Sequence, residues 1–279
     1  MFNSKYKKEA LRELERASSK YQSAFDEAVK NASTLQERRM AAIETLKQVE
    51  RYVDELRNKP YEFEKVIREI KIRRRNFESK VESLRLESQH IDRVAGTTAG
   101  AGALAGAGVA ALGPTAAMGI ATTFGTASTG TAIATLSGAA ATNAALAWLG
   151  GGPLLAGGGG MVVGETFLAL LGPVGWIIGG SALTLSGVFA TKKNREIAEK
   201  AESSTRVVKK ETTRIQKVSC EVERLSDLTR SLSEKITVAL NKIRDKNDYR
   251  YFTVYDKENM RIIMNSSESL SQQIGVTIS

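Results

Sequence analysis

The sequence predicts an all-α protein: an elongated antiparallel bundle of long heptad helices carrying an internal apolar, glycine-rich helical hairpin as its head. Three observations predict it. Apolar residues recur every seven positions through two charged arms, residues 1–93 and 191–279. Within those arms the only proline is Pro60 and the only glycine Gly275. Between them, residues 94–190 hold the other 23 of 24 glycines and one charged side chain, Glu165.

The first helix is expected over about 4–57. Leu14, Tyr21, Ala28, Leu35, Ala42, Val49 and Leu56 form one seven-residue series, and Leu11, Phe25, Ala32, Leu46 and Val53 occupy most of a second. Two interleaved series sustained over several heptads make the apolar seam of a helix that packs on other helices. Arg39 and Ser18 interrupt the second series and mark places where the seam is expected to open to water. Asn58, Lys59 and Pro60 end this helix and start another, because proline loses nothing at a first helical position while excluding its predecessor from the helical region.

The second helix, 61–93, repeats Phe63, Ile70, Phe77, Leu84 and Ile91, joined by Ile67 and Val81, and the short connection makes it antiparallel to the first. The third, within 191–247, carries Val208, Ile215, Val222, Ile236 and Ile243, with Val218, Leu225 and Leu232 offset. At ~1.5 Å per residue the first and third helices are each roughly 80 Å long and match as sides of one rod. Residues 248–279 change character. Thr253 is a candidate N-cap, Met260, Ile263, Leu270 and Ile274 share one face, and Gly275 is a stop, giving a short helix folded back on the rod. The aromatic cluster Tyr249, Tyr251, Phe252 and Tyr255 reads as a docking patch; no strand pattern or basic groove accompanies it to make a nucleic-acid stacking platform.

The central segment 94–190 cannot be a water-exposed loop. Small residues recur at four, as in Gly96 and Gly100, Gly102 and Gly106, Gly160 and Gly164, Gly175 and Gly179, the spacing that lets helices approach closely in lipid. Breaks at Gly113-Pro114, Gly150-Gly151-Gly152-Pro153 and Gly172-Pro173 divide it into a helix to Leu112, a second over 115–149 and a third over 161–190. The last two are long enough to span a bilayer, which takes about 20 apolar residues. The expected insertion site is Trp148, Leu149, Gly150, Gly151, Gly152, Leu154, Leu155, Gly157, Gly158, Gly159, Gly160, Met161, Val162, Val163, Glu165, Phe167 and Trp176.

Within it, Gly157 to Gly160 form a hairpin tip or hinge. A phosphate-cradling loop is rejected, since neither the lysine nor the preceding strand is there. Trp148 and Trp176 suit interfacial anchoring or core packing equally. Glu165 has two readings: a carboxylate favoured at a helix start or bilayer boundary, or a pore-lining, protonation-controlled group.

Composition narrows the classes further. Residues 1–93 hold 22 Lys and Arg against 17 Asp and Glu, residues 191–279 hold 18 against 13, and the chain is +9. The mixed signs are those of solvated helix faces, with anionic lipid as the alternative reading of the excess. One cysteine, Cys220, excludes an internal disulfide framework, and one histidine, His90, leaves no cluster for zinc. No catalytic, cofactor or metal residues emerge, so no enzyme and no cofactor are expected. The basic triplet at 73–75 is isolated, which argues against specific nucleic-acid binding. The charged start has no apolar core of a secretory signal, so synthesis as a soluble cytoplasmic chain is expected, with action at a membrane afterwards.

Heptads at 11–56, 63–91 and 208–243 enclosing the apolar 94–190 resemble the architecture of the α-helical pore-forming toxins of the cytolysin A and haemolysin BL type, and the glycine spacing is similar to that of glycine-zipper membrane toxins. The resemblance extends over nearly the whole chain, with a longer apolar segment than in that family. It implies a soluble form that shelters the segment, then insertion and homo-oligomerisation in a lipid bilayer, with a second toxin component as a further partner. The alternative is a coiled-coil scaffold whose apolar segment is a permanent anchor or a buried core.

Overall fold

A computed structural model describes residues 2–95 and 190–278. Every described element is helical: α1 (Phe2–Glu55), α2 (Tyr61–Ala95), α3 (Ala190–Ile243), a 3-10 turn (Tyr249–Tyr251) and α4 (Val254–Gln273). Among the described residues there is no strand; an isolated bridge joins Arg57 and Asp248. The fold is all-α. Long alanine-, leucine- and charge-rich runs without proline or internal glycine sustain helices α1 and α3 at 54 residues each. Among the described residues no helix is long and apolar enough to cross a membrane.

Two compact units share these helices. In the first, residues 2–28 of α1 run parallel to residues 190–220 of α3: Glu13 meets Lys209 at 2.6 Å, and Tyr6 hydrogen-bonds Glu202. Its seam is thin. Ala10, Ala17, Ala24 and Ala28 face Ala198 and Ala201, with Leu14, Tyr21, Val208 and Ile215 as the larger members. Thr205 and Thr212 are buried here too, each returning its hydroxyl to the carbonyl four residues back at 2.8 Å.

The second unit joins the rest of α1 and α3 to α2 and α4 around one core that includes Leu46, Val49, Val53, Leu56, Ile70, Phe77, Ile236, Ile243, Met260 and Ile263. Ion pairs fix α2 antiparallel to α1: Asp54 with Lys71 at 2.7 Å and Glu50 with Arg74 at 2.7 Å. Arg38 with Asp227 at 2.9 Å shows α1 and α3 parallel here as well. Helix α4 packs on α2. Fully burying a leucine- or isoleucine-sized side chain contributes roughly 1.5–3 kcal/mol, so this core dominates the stability of the unit.

The first seam series of α1 is buried from Leu14 to Leu56, as are Ala32, Leu46 and Val53 of the second, whereas Leu11 and Phe25 are half-buried. Two expectations are corrected. Arg39 does not open the seam to water: it has no exposed surface, and its stem and guanidinium take the place of an apolar heptad member. Ser18 does not open it either, because its hydroxyl oxygen is enclosed, without a hydrogen-bond partner among the described residues. The second series of α3 also differs from expectation. Val218 is only half-buried, while Thr205, Thr212, Ser219 and Ser226, spaced by seven, face the interior. Of these, Thr205 and Thr212 fill the place of small apolar side chains because their hydroxyls bond their own helix.

The α1–α2 turn and the α3–α4 turn clasp one another. Arg57 donates its backbone N–H to the Asn247 carbonyl at 2.9 Å, and Tyr249 donates to the Arg57 carbonyl at 2.9 Å. Asn58 adopts a left-handed conformation, φ 53°, which asparagine tolerates better than most residues. As expected, Thr253 caps α4, and it does so reciprocally. Its hydroxyl accepts from the Asp256 N–H at 3.2 Å, and the Asp256 carboxylate accepts from the Thr253 N–H at 2.8 Å. Met260, Ile263, Leu270 and Ile274 have no exposed surface, and the helix ends at Gln273, two residues before Gly275.

Candidate functional site

The residues expected to enter a bilayer, from Trp148 to Trp176, lie outside the described residues, as do the glycine pairs from Gly96 to Gly179. What is described is the apparatus on which that segment is mounted. Helix α2 runs unbroken to Ala95 and α3 starts at Ala190, so helix continues up to both ends of the uncharged stretch. Neither helix has a glycine to loosen it at the join until the stretch itself begins at Gly96.

The charged chemistry of the described residues is concentrated in two places. One is a polar layer inside the four-helix unit. Arg74 on α2 grips Glu50 on α1 through Nε–Oε1 at 2.7 Å and Nη2–Oε2 at 2.8 Å, with both side chains about nine-tenths buried. Glu78 closes on the remaining nitrogen of Arg74 and also receives Lys47 at 3.0 Å. These carboxylates hold the Arg74 guanidinium above its ordinary value, Glu50 first among them. A two-nitrogen, two-oxygen pair has a fixed geometry, so it sets the register of α1 on α2.

Nearby, Arg39 donates to the carbonyl of Val276 at 2.5 Å and lies 5.8 Å from the centre of the Phe77 ring. Burial pushes it down to about 10, still cationic at neutral pH. The contact ties the chain after α4 to the middle of α1.

The second place is the clasped end. Asp248 accepts from Asn58 Nδ2 at 3.1 Å, from the Arg250 N–H at 3.0 Å and from Arg250 Nη2 at 2.8 Å. Arg250 chiefly, then its backbone N–H and Asn58, holds the Asp248 carboxyl well below the usual carboxylate range. Lys246, with Thr253, lowers Asp256 to about 2. Tyr52 donates its hydroxyl to the carbonyls of Ile243 at 2.9 Å and Lys246 at 3.0 Å, and burial raises it to about 12. Every one of these groups satisfies a helix end or a turn. They are structural anchors.

The aromatic cluster divides. Phe252 is buried and Tyr249 stands edge-on to Phe63 at 5.5 Å, whereas Tyr251 and Tyr255 face solvent. Shallow grooves flank α4, one including Val238, Lys242 and Ile262, the other Phe63, Val66 and Met264. Among the described residues no group of His, Cys, Asp or Glu is placed to hold a metal ion, and Cys220 is exposed on α3.

No family model, no curated protein and no solved structure matches this chain. Its function is therefore read from its own chemistry.

Reasoning from heptads alone missed the polar layer. The signal was in the sequence, since Arg39 fills a vacancy in a series of α1 and Arg74 sits between Ile67 and Val81 in a series of α2. Arg74, with Glu50 next to Val49 on the antiparallel helix, marks a buried ion pair rather than an opening.

Proposed function

We propose that this chain is a membrane-inserting, pore-forming α-helical protein, a toxin or effector, which goes from a soluble form to an oligomer in a lipid bilayer. The observation that carries the reading is the distribution of charge: residues 94–190 hold one charged side chain, while 70 of the 71 charged residues stand in the arms on either side. An uncharged stretch of this length is stable only when covered by protein or lipid. The arms have helical cores of their own, formed by Leu46, Ile70 and Ile236 in one unit and by Ala10, Ala198 and Ile215 in the other.

Residues 115–149 and 161–190 are then the inserting pieces, joined through Gly150 to Gly160, with the small-residue faces packing helix on helix in lipid. The buried Arg74–Glu50 layer supports a bundle that changes partners. Buried ion pairs fix register while adding little net stability over apolar packing.

Release of a dye from liposomes tests the reading. The purified chain is expected to leak vesicles at rising protein-to-lipid ratio, and removal of 96–189 is expected to abolish leakage while the arms stay helical by circular dichroism. No leakage and no lipid association over a range of pH and lipid composition would overturn it. A coiled-coil scaffold with a permanent anchor is favoured instead if the chain needs detergent from the moment it is made.

A further inference from the structure

The excess positive charge is not shared evenly along α3. Residues 190–220 carry nine Lys and Arg against four Glu, whereas residues 221–279 carry nine against nine. The structure shows how differently the two sets are used. In the second set Arg224, Arg230, Arg244, Lys246, Arg250 and Arg261 each stand in an ion pair.

In the first set, Arg195 pairs with Glu199 and Lys209 with Glu13. Among the described residues no ion pair holds Lys200, Arg206, Lys210 or Lys217, and all four are exposed. Arg206, Lys210 and Lys217 follow one another at helical spacing on the side of α3 opposite Val208 and Ile215, which are buried against α1. The result is a lengthwise cationic stripe whose charges repel one another and are relieved by no ion pair among the described residues.

We infer that the outer stripe of α3, Arg206, Lys210 and Lys217, binds the surface of an anionic phospholipid bilayer, with α3 lying along that surface. The inference rests on the membrane-inserting reading, because membrane is chosen over other polyanions on account of the uncharged segment that ends where α3 begins. Lys192 and Lys193 follow that end by two residues. If α3 stood upright on the membrane, Lys217 would be about 40 Å from the segment's end at ~1.5 Å per residue. Charges act over only about 8–10 Å in physiological salt, so an upright helix could not use the stripe. A helix lying flat brings all three cations to the headgroups. It also gives the segment a fixed point of entry.

The test is flotation of the full-length protein with vesicles of phosphatidylcholine alone and of phosphatidylcholine with phosphatidylserine. A triple variant, R206Q/K210Q/K217Q, is compared with R224Q/R230Q/K235Q, which removes as many exposed cations from the neutral half of the same helix. A cation near an anionic membrane contributes about 1 kcal/mol, so the first variant is expected to bind phosphatidylserine vesicles on the order of 100-fold more weakly and the second to bind nearly as the parent does. Unchanged helicity and thermal midpoint of both variants keep the comparison free of folding defects.

Equal loss in both variants, or parent binding without preference for phosphatidylserine, overturns the inference. In the second case quenching of tryptophan by brominated phosphatidylcholine still reports insertion, so the parent reading survives on its own. No association with either vesicle overturns both. Tighter binding of a DNA duplex or a single-stranded RNA through the same three residues overturns the lipid assignment in favour of nucleic acid.

Discussion

The two units of this protein obey the same seven-residue rule and differ in what the rule places inside. In residues 29–95 and 221–278 the inward positions are mostly Leu, Ile, Val, Phe and Met, interrupted by a bidentate ion pair, by Arg39 and by small hydroxyls such as Ser226 and Thr229. In residues 2–28 and 190–220 they are mostly Ala, with buried Thr205, Thr212 and Ser219. Apolar area scales with side-chain size, and at roughly 25 cal/mol per Å² an alanine seam yields a small fraction of what a leucine seam yields. Periodicity therefore fixes where a helix packs, and side-chain volume fixes how firmly. Among the described residues, the smaller inward side chains lie at the end of α3 that adjoins the uncharged segment.

The largest effect expected in the firm unit comes from its ion pair. Arg74→Met leaves Glu50 buried without its partner and is expected to cost about 3–5 kcal/mol in urea denaturation. The double variant Glu50→Leu with Arg74→Met removes both charges and is expected to recover most of that loss. A double variant as unstable as the single one would show that shape, not charge, governs the layer.

The comparison itself is sharpened by deleting one leucine on each side. Leu46→Ala is expected to cost about 2–5 kcal/mol because rigid neighbours leave a cavity. Leu14→Ala, in a seam already lined by Ala10 and Ala17, is expected to cost less than half as much. Equal costs would break the contrast. Hydrogen exchange is expected to agree, with amides of 4–28 exchanging faster than those of 42–55.

Smaller still is the cap of α4. Thr253→Ala removes the hydroxyl that accepts from Asp256 and is expected to cost about 1 kcal/mol, read by the same denaturation. The pH dependence is a further test of the clasped end. Asp256, lowered to about 2, and Asp248, lowered also, bind protons more weakly folded than unfolded. Their contribution is complete above the unfolded carboxylate value of about 3.9 and fades as pH falls toward 2. Thermal midpoints are expected to drop across that window, and Asp256→Asn is expected to flatten the drop.

The helices were legible because heptad spacing is a strong signal over 54 residues, and Pro60 and Thr253 marked their joins with specific backbone chemistry. Less legible was what a polar residue does at a heptad position. Arg39 and Ser18 look like openings when each helix is read alone. Burial of Arg39 becomes intelligible only with the Phe77 ring brought to it from α2 and the Val276 carbonyl from the chain after α4. Thr205 and Thr212 were passed over for a related reason, since a hydroxyl that bonds its own helix behaves as a small apolar group. The clasp of Asn58 on Asp248 joins residues 190 apart and had no local signature.

The two tryptophans, Trp148 and Trp176, both lie in the uncharged segment and all seven tyrosines lie outside it, so tryptophan emission excited beyond the tyrosine band reports on the segment alone. On addition of vesicles containing brominated phosphatidylcholine, the account predicts a blue shift and strong quenching of this emission, absent with water-soluble bromide at the same ionic strength. Emission unmoved and unquenched by the brominated lipid, with the protein bound to the vesicles, would contradict it.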